Sequence, residues 1–214
     1  MRAIVSLTLL YLMIPCASSK AALYVDQEFK IVYNAYAPSW DFYDSAWGIE
    51  AELQRWRSDT FGYAIVGGLH EWTPKRQPSQ LLKFNDTLVL RRNFAYIPLG
   101  AHFLYRPIKN EYVSLTFAAG GRFAVGATTA TVDVNVDTSS GTNSARAGGM
   151  DVGTSFMANL SADLEWRFSE NLYLMGGVGY QQDITKGEVA FAGSNIADNE
   201  LSAPFFRIGV VVDM

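Results

Sequence analysis

The last nine residues of the chain, Phe206–Met214 with the sequence FRIGVVVDM, decide the fold. Every second residue is apolar, and Arg207 and Asp213 stand among the residues between them. Strict alternation over a whole segment predicts a β-strand with one apolar face. An apolar strand with an unpaired edge tends to aggregate, so we expect this strand to be paired along both edges. The apolar set is Phe206, Ile208, Val210, Val212 and Met214.

Seven further segments show the same period of two. They cover about residues 27–37, 46–56, 61–72, 92–106, 112–126, 154–168 and 172–181. The connections between them alternate between short turns and longer polar stretches, which is the layout of an up-and-down transmembrane barrel. We therefore predict an all-β protein whose eight antiparallel strands close into a barrel. Pro98 falls inside the fourth strand and requires a bulge or a local gap in the hydrogen-bond ladder there.

The face opposite the apolar one carries charges well inside the predicted strands, together with many glycines. The interior of an eight-stranded barrel is narrow and is filled by side chains, so small residues and paired charges suit it. We expect opposite charges to pair there, because an unpaired buried charge is costly. The alternative role for them is a proton or ion path. The expected interior network is Glu50, Glu52, Arg122, Glu165, Arg167 and Arg207, on a face that also holds Glu28, Lys30 and Asp163.

Aromatic residues recur at the ends of the predicted strands, as the two interfacial girdles of a membrane barrel require. Together with the interior charges they indicate that the apolar face points outward, into hydrocarbon. A soluble periplasmic β-sandwich would turn the same face inward and remains an alternative. The two expected girdles are Trp47, Phe156, Tyr180 and Phe206 at one rim, and Phe61, Tyr105, Trp166 and Phe168 at the other.

The first 22 residues have the pattern of a secretory signal peptide. Arg2 supplies the positive charge, Ala3–Ile14 is an apolar run shorter than the ~20 residues of a membrane-spanning helix, and Pro15 ends it. We predict a signal peptide over residues 1–22 and one barrel domain over residues 23–214. Cys16 is the only cysteine, so its removal with the signal peptide would leave no thiol.

Composition argues against nucleic acid, metal and cofactor sites. The chain has 17 basic and 21 acidic residues, with no basic run. His70 and His102 are the only histidines, too few for a histidine-rich metal site. Asp133–Asp137 resembles the start of a calcium-binding loop, but Thr138 and Ser144 stand where the loop needs Gly and Glu. We expect no metal or cofactor and no nucleic-acid partner.

The spacing Arg207-x-Gly209-x-x-Val212-x-Met214 resembles the C-terminal insertion signal of bacterial outer-membrane β-barrels, a family that usually ends in Phe rather than Met. In pattern, residues from about 25 to 214 resemble the small eight-stranded barrels of the OmpA/OmpX kind. The resemblance implies a location in the bacterial outer membrane, with outer-membrane lipid around the barrel. It also implies periplasmic chaperones and the barrel assembly machinery as partners during biogenesis.

Such barrels are usually closed to solutes, and their functions lie in the extracellular loops. The resemblance therefore implies a non-enzymatic barrel with a structural or surface-interaction role, in which the loops carry any ligand binding. One alternative is a narrow channel or a carrier of small apolar molecules. Another is a lipid A-modifying enzyme, although neither histidine lies in the His-x-Ser stretch of one such family.

Overall fold

The computed structural model describes residues 26–39, 43–74, 87–90, 94–126, 130–135, 145–191 and 194–214. The predicted signal peptide, residues 1–22, lies outside them. No helix in these ranges is long and apolar enough to cross a membrane. The strands within these ranges are β1 (Asp26–Tyr36), β2 (Tyr43–Trp56), β3 (Phe61–Pro74), β4 (Thr87–Leu90), β5 (Phe94–Lys109), β6 (Val113–Gly126), β7 (Ala130–Asn135), β8 (Ala145–Val152), β9 (Ser155–Arg167), β10 (Leu172–Thr185), β11 (Gly187–Phe191), β12 (Ser194–Asn199) and β13 (Ala203–Asp213).

Eight of these strands form a closed barrel in the order β1-β13-β10-β9-β6-β5-β3-β2, and every neighbouring pair is antiparallel. The last strand, β13, pairs with β10 on one edge and with β1 on the other, where Val210 lies opposite Ile31. It therefore has no free edge, as its alternation requires. The predicted eight-stranded antiparallel barrel is confirmed.

The apolar face of each barrel strand points outward. Leu160 and Ile208 are 61% and 65% exposed, whereas Glu52 and Arg122 are each 1% exposed. A soluble β-sandwich or barrel would show the reverse, so the arrangement fits only a hydrocarbon surround. All eight predicted girdle residues lie on this outer face, where Trp47 and Phe156 are half-buried and the other six are exposed, namely Phe61, Tyr105, Trp166, Phe168, Tyr180 and Phe206.

The ladder between β3 and β5 lapses at Pro98 without a shift of register. Leu99 pairs with Gly67 and Tyr96 with His70, but the two positions between them form no pair with β3. On its other side Pro98 still pairs with Ala124 of β6. A proline has no N–H to donate, so a gap on one side is the expected result. The predicted local gap is confirmed.

The short turns are held by side chains that accept backbone hydrogen bonds. Between β2 and β3, Ser58 Oγ accepts from the N–H of Phe61 at 3.0 Å. Between β5 and β6, Asn110 Oδ1 accepts from the N–H of Val113 at 2.8 Å. Ser and Asn commonly close turns in this way. The end predicted for the β5 segment, residue 106, is too early, because β5 continues to Lys109 through a bulge between Tyr105 and Ile108.

The sequence indicated only polar loops for the long connections, but these connections contain β-strands. β4, β7, β8, β11 and β12 form a second antiparallel sheet, the loop sheet, in the order β12-β11-β8-β7-β4. The order β11-β8-β7-β4 within this sheet matches the order β10-β9-β6-β5 within the barrel. Each of these four loop strands is next in the chain to the matching barrel strand, since β11 follows β10, β8 precedes β9, β7 follows β6 and β4 precedes β5. The loop sheet therefore belongs to one half of the barrel, the half formed by β10, β9, β6 and β5.

Candidate functional site: the barrel interior and its loop-side cap

Seven of the large side chains inside the barrel lie opposite a glycine on a neighbouring strand. A methyl group added to Gly100 would come within 2.8 Å of Arg122 Cγ, and one added to Gly68 within 3.0 Å of Glu50 Cγ. The glycines thus create the space that long and ring-bearing side chains fill in a narrow barrel. The pairs are Gly48–His70, Gly62–Trp56, Gly68–Glu50, Gly100–Arg122, Gly120–His102, Gly177–Arg207 and Gly179–Phe205.

A first polar network is centred on Glu50 of β2. Arg122 Nη1 of β6 forms an ion pair with Glu50 Oε1, and His70 Nε2 lies 2.8 Å from the same oxygen. Arg122 Nε donates to His102 Nε2 at 3.1 Å. The hydroxyl of Tyr36 lies 3.2 Å from His70 Nε2. All five side chains are buried, so the network ties β1, β2, β3, β5 and β6 together through the centre of the barrel.

A second network is centred on Arg207 of β13. Arg207 Nη2 forms an ion pair with Glu52, and Arg207 Nε lies 3.5 Å from Asp163 Oδ1. Asp163 Oδ2 lies 3.7 Å from Lys30 Nζ, which also forms an ion pair with Glu165. These five side chains alternate in sign, so each buried charge has at least one opposite neighbour.

The second network continues towards the short turns. Arg106 Nη2 donates to Glu28 Oε1 at 2.6 Å and lies 3.8 Å from Glu165 Oε2. Its guanidinium carbon lies 3.6 Å from the ring centre of Trp56, in cation–π contact. Ser114 Oγ donates to Glu165 as well. The charged interior therefore runs from the middle of the barrel to its short-turn end.

The structure brings together five of the six residues of the predicted network. Arg122 pairs with Glu50, and Arg207 with Glu52. Glu165 pairs with Lys30 and Arg106 rather than with one of the predicted arginines. Arg167 contradicts the prediction. Its side chain is exposed at the end of β9, where Nη2 donates to the carbonyl oxygen of Glu170 at 2.9 Å, because the strand ends there and turns.

Sequence reasoning missed Arg106, although its alternation could have revealed it. Arg106 shares the even-numbered, inward face of β5 with Tyr96 and His102. The predicted strand ends at this residue because Pro107 follows it, which leaves Arg106 without an assigned face. Lys30, Glu28 and Asp163 are predicted on the correct face but without partners, since period two shows the face and not the distance across a lumen.

Aromatic rings fill the interior at the loop-side end, in a group that we call the aromatic cap. Tyr43 packs edge-on against Trp72 with ring centres 5.0 Å apart, and its hydroxyl lies 3.2 Å from that of Tyr96. Tyr36 lies 5.4 Å from Phe205, centre to centre. Every member is at most 6% exposed. The aromatic cap consists of Tyr36, Tyr43, Trp72, Phe94, Tyr96 and Phe205.

The segment before β13 is clasped to the end of β10. The N–H of Leu201 donates to Asp183 Oδ2, and the amide of Gln181 donates to the carbonyl oxygen of Leu201. Ser202 Oγ accepts from the N–H of Asp183 at 3.1 Å, and Ser39 Oγ donates to the Ser202 carbonyl at 2.6 Å. Leu201 is 1% exposed. The clasp fixes an apolar side chain at the loop-side end of the barrel.

The residues of the predicted insertion signal are spread over both faces of β13. Arg207 points inward to Glu52, and Val212 and Met214 are exposed on the outside. A methyl group on Gly209 would come within 3.0 Å of Val32 Cα on the neighbouring strand, so this position allows close backbone contact. Among the described residues, no group of three or more His, Cys, Asp and Glu side chains is placed to hold a metal ion.

Comparison with known proteins identifies the fold. No protein-family model matches the chain, and no curated protein does. Among solved structures, the outer membrane protein OprG from Pseudomonas aeruginosa has a TM-score of 0.60 at 11% identity, over 88% of this chain and 96% of that one. This chain has the fold of an outer-membrane β-barrel.

Two other solved structures are similar to this chain. A major outer membrane protein from Thermus thermophilus has a TM-score of 0.55 at 11% identity, over 88% of this chain and 99% of that one. Neisserial surface protein A is 15% identical over 89% of this chain and 97% of that one, with a TM-score of 0.48. The outer-membrane β-barrel fold agrees with the outward apolar surface and with the outer-membrane location that the sequence analysis expects.

Proposed function

We propose that this protein is a closed, non-enzymatic barrel of the bacterial outer membrane that presents the loop sheet to extracellular partners. The observation that carries the proposal is the pairing of three separate loops into one sheet, from β4 to β12. Loops that only connect strands have no need to pair with one another. A sheet built from several loops offers a preformed surface, which lowers the entropy cost of binding.

The interior supports a closed lumen rather than a channel. The charged side chains at its centre are buried and paired with one another, and the aromatic cap with Leu201 fills the loop-side end. A conducting path needs a hydrated route past these groups, and each pair broken would leave a buried charge. We therefore assign the charges a structural role.

Adhesion of cells tests the interaction role. Cells that express the full chain are compared with cells whose chain has residues 130–152, the β7–β8 hairpin, replaced by a short Gly-Ser turn. Adhesion to cultured epithelial cells is the readout, and heat-modifiable migration on gels shows that both barrels fold. We expect adhesion to fall with the shortened chain, because the hairpin lies in the middle of the loop sheet. Equal adhesion by two folded barrels would contradict this role.

Two measurements address the alternative functions. In planar bilayers we expect no steady conductance from the full chain, whereas a narrow channel would show one. Mass spectrometry of lipid A from expressing and non-expressing cells would show a mass change if the barrel were a lipid A-modifying enzyme, and we expect none.

The C-terminal strand, β13, also supports a proposal about partners in biogenesis. We expect periplasmic chaperones to hold the exported chain and the barrel assembly machinery to recognise Arg207, Gly209, Val212 and Met214. Support comes from the exposed, apolar outer face of β13. In a chain that has not yet folded, the same apolar residues are accessible to these proteins. Replacing Met214 by Phe should speed membrane assembly, measured as the appearance of the heat-modifiable form after a pulse of synthesis.

A further inference from the structure

Two arginines lie at the short-turn end of β2 on the outer, hydrocarbon-facing side of the barrel. Arg55 follows Leu53 on the outer face, and its neighbours across the ladder are Gln27 and Tyr63. Arg57 begins the turn to β3, and its guanidinium carbon lies 5.7 Å from the ring centre of Tyr63. Two cations thus share one aromatic neighbour on the surface that meets lipid.

The depth of this pair matches the headgroup region. Trp47, a predicted girdle residue on the same face of β2, precedes Arg55 by eight residues, or roughly 27 Å of strand at about 3.4 Å per residue. A strand tilted by about 40° covers roughly 20 Å of depth over that length, close to the ~25 Å apolar band of outer-membrane barrels. Trp47 and Arg55 therefore lie near opposite interfaces of the membrane.

Neither guanidinium has an acidic partner in the described part of the chain. Arg55 is half-buried, and its Nε is buried without a hydrogen-bond partner among the described residues. Arg57 has the contact with Tyr63 and no ion pair there. Other cations near the short turns are engaged: Lys109 Nζ lies 3.3 Å from Asp26 Oδ2, and Arg167 donates to the carbonyl oxygens of its own turn.

We propose that Arg55 and Arg57 form a binding site for the phosphate of an anionic membrane lipid on the short-turn side of the barrel. Guanidinium groups bind phosphate oxygens through two parallel N–H bonds, and two of them favour a headgroup with net negative charge. Leu53 and Tyr63 lie beside the pair on the outer face, where the acyl chains of the same lipid would pack. This hydrophobic neighbourhood favours a lipid over free phosphate.

Native mass spectrometry of the full barrel released from detergent tests the proposal. The probes are phosphatidylglycerol and phosphatidylcholine at equal concentrations, with inorganic phosphate as a competitor. We expect wild type to retain phosphatidylglycerol in preference to phosphatidylcholine. The double variant Arg55→Gln/Arg57→Gln should bind phosphatidylglycerol about tenfold more weakly, since each cation near an anionic lipid surface contributes to the binding affinity. The matched control is Arg167→Gln, which removes an arginine at the same rim and should retain the lipid.

Each other outcome overturns the proposal. A wild-type barrel that shows no preference for phosphatidylglycerol would overturn the proposal by itself. This comparison needs no variant, so the proposal stays testable even if the double variant does not fold. Equal lipid retention by the folded double variant, or equal loss in Arg167→Gln, would show that the pair does not form the site. Displacement of the lipid by an equal concentration of inorganic phosphate would identify a site for free phosphate instead.

Discussion

The guanidinium of Arg207 on β13 and the carboxylate of Glu52 on β2 form a buried ion pair, although β1 lies between their two strands. Neither side chain is more than 1% exposed. Arg207 reaches across because Gly177 leaves space beside its aliphatic stem. A methyl group added to Gly177 would lie only 3.0 Å from Arg207 Cγ. The pair closes the barrel from the inside at the seam where the first and last strands meet.

Replacing Glu52 by Ala should destabilise the barrel by up to about 3–5 kcal/mol, because it leaves the buried Arg207 with only Asp163, 3.5 Å away, as an acidic partner. The free energy of unfolding in urea with detergent is the measurement. The double variant Glu52→Leu/Arg207→Leu should lose less than Glu52→Ala alone, since both members of the pair are removed and Asp163 keeps Lys30, 3.7 Å away, as its partner. A double variant less stable than the single would contradict this account. Arg167→Ala, at an exposed position, should change stability by under about 0.5 kcal/mol.

The interior Gly100 should tolerate no added side chain, whereas the outward Gly67 should. We expect Gly100→Ala to destabilise the barrel by about 1–3 kcal/mol, because the methyl group meets Arg122 Cγ and the carbonyl oxygen of Gly121. The control is Gly67→Ala on the outer face, where the nearest atom, Leu99 Cδ2, lies at 3.4 Å, an ordinary contact. Unfolding in urea would again be measured. Equal losses at both positions would show that backbone effects, and not interior space, determine the cost.

Pro98→Ala should stabilise the barrel by about 0.5–1.5 kcal/mol, the usual net value of one hydrogen bond. The new N–H can donate to β3 across the gap between the Gly67–Leu99 and His70–Tyr96 pairs. Hydrogen exchange at residue 98 and the unfolding midpoint report the gain. Pro107→Ala is the control, because Pro107 lies in a bulge with no regular partner on β6, and we expect no gain there.

Asp183→Ala should loosen the clasp that holds Leu201. The N–H of Leu201 would lose its acceptor while buried, at a cost of about 1–3 kcal/mol. We expect faster amide exchange at Leu201 and easier proteolysis of residues 200–202, with the barrel itself still heat-modifiable. Asp183→Asn keeps an acceptor oxygen at the same position and should behave much more like wild type. Unchanged exchange in Asp183→Ala would show that the clasp does not hold this segment.

The architecture of the barrel wall could be predicted from the sequence because alternation is a local property. Residues two apart share a face, so Leu160 and Ile208 were assigned to the outside and Glu52 to the inside with no knowledge of their neighbours. The gap at Pro98 was predictable for the same reason, since a missing N–H is a property of one residue. Strand ends were less accurate, as the extension of β5 to Lys109 shows.

The partners inside the lumen could not be predicted from local pattern. Glu165 pairs with Lys30, 135 residues away, and that contact depends on the register of every strand between them around the wall. Arg167 shares the parity of Glu165 but lies at the end of the strand, where it can turn to nearby carbonyl groups. Depth along the barrel, rather than face, separates the two residues.

The sequence by itself determined that this chain forms an eight-stranded barrel with apolar residues outside, because neighbouring residues of a strand point to opposite faces and each face can therefore be identified locally. Only the tertiary structure decided which charges meet, which glycines receive them, and that three loops pair into one sheet. Those contacts join residues far apart in the chain, so they exist only once closure of the wall has set register and depth together.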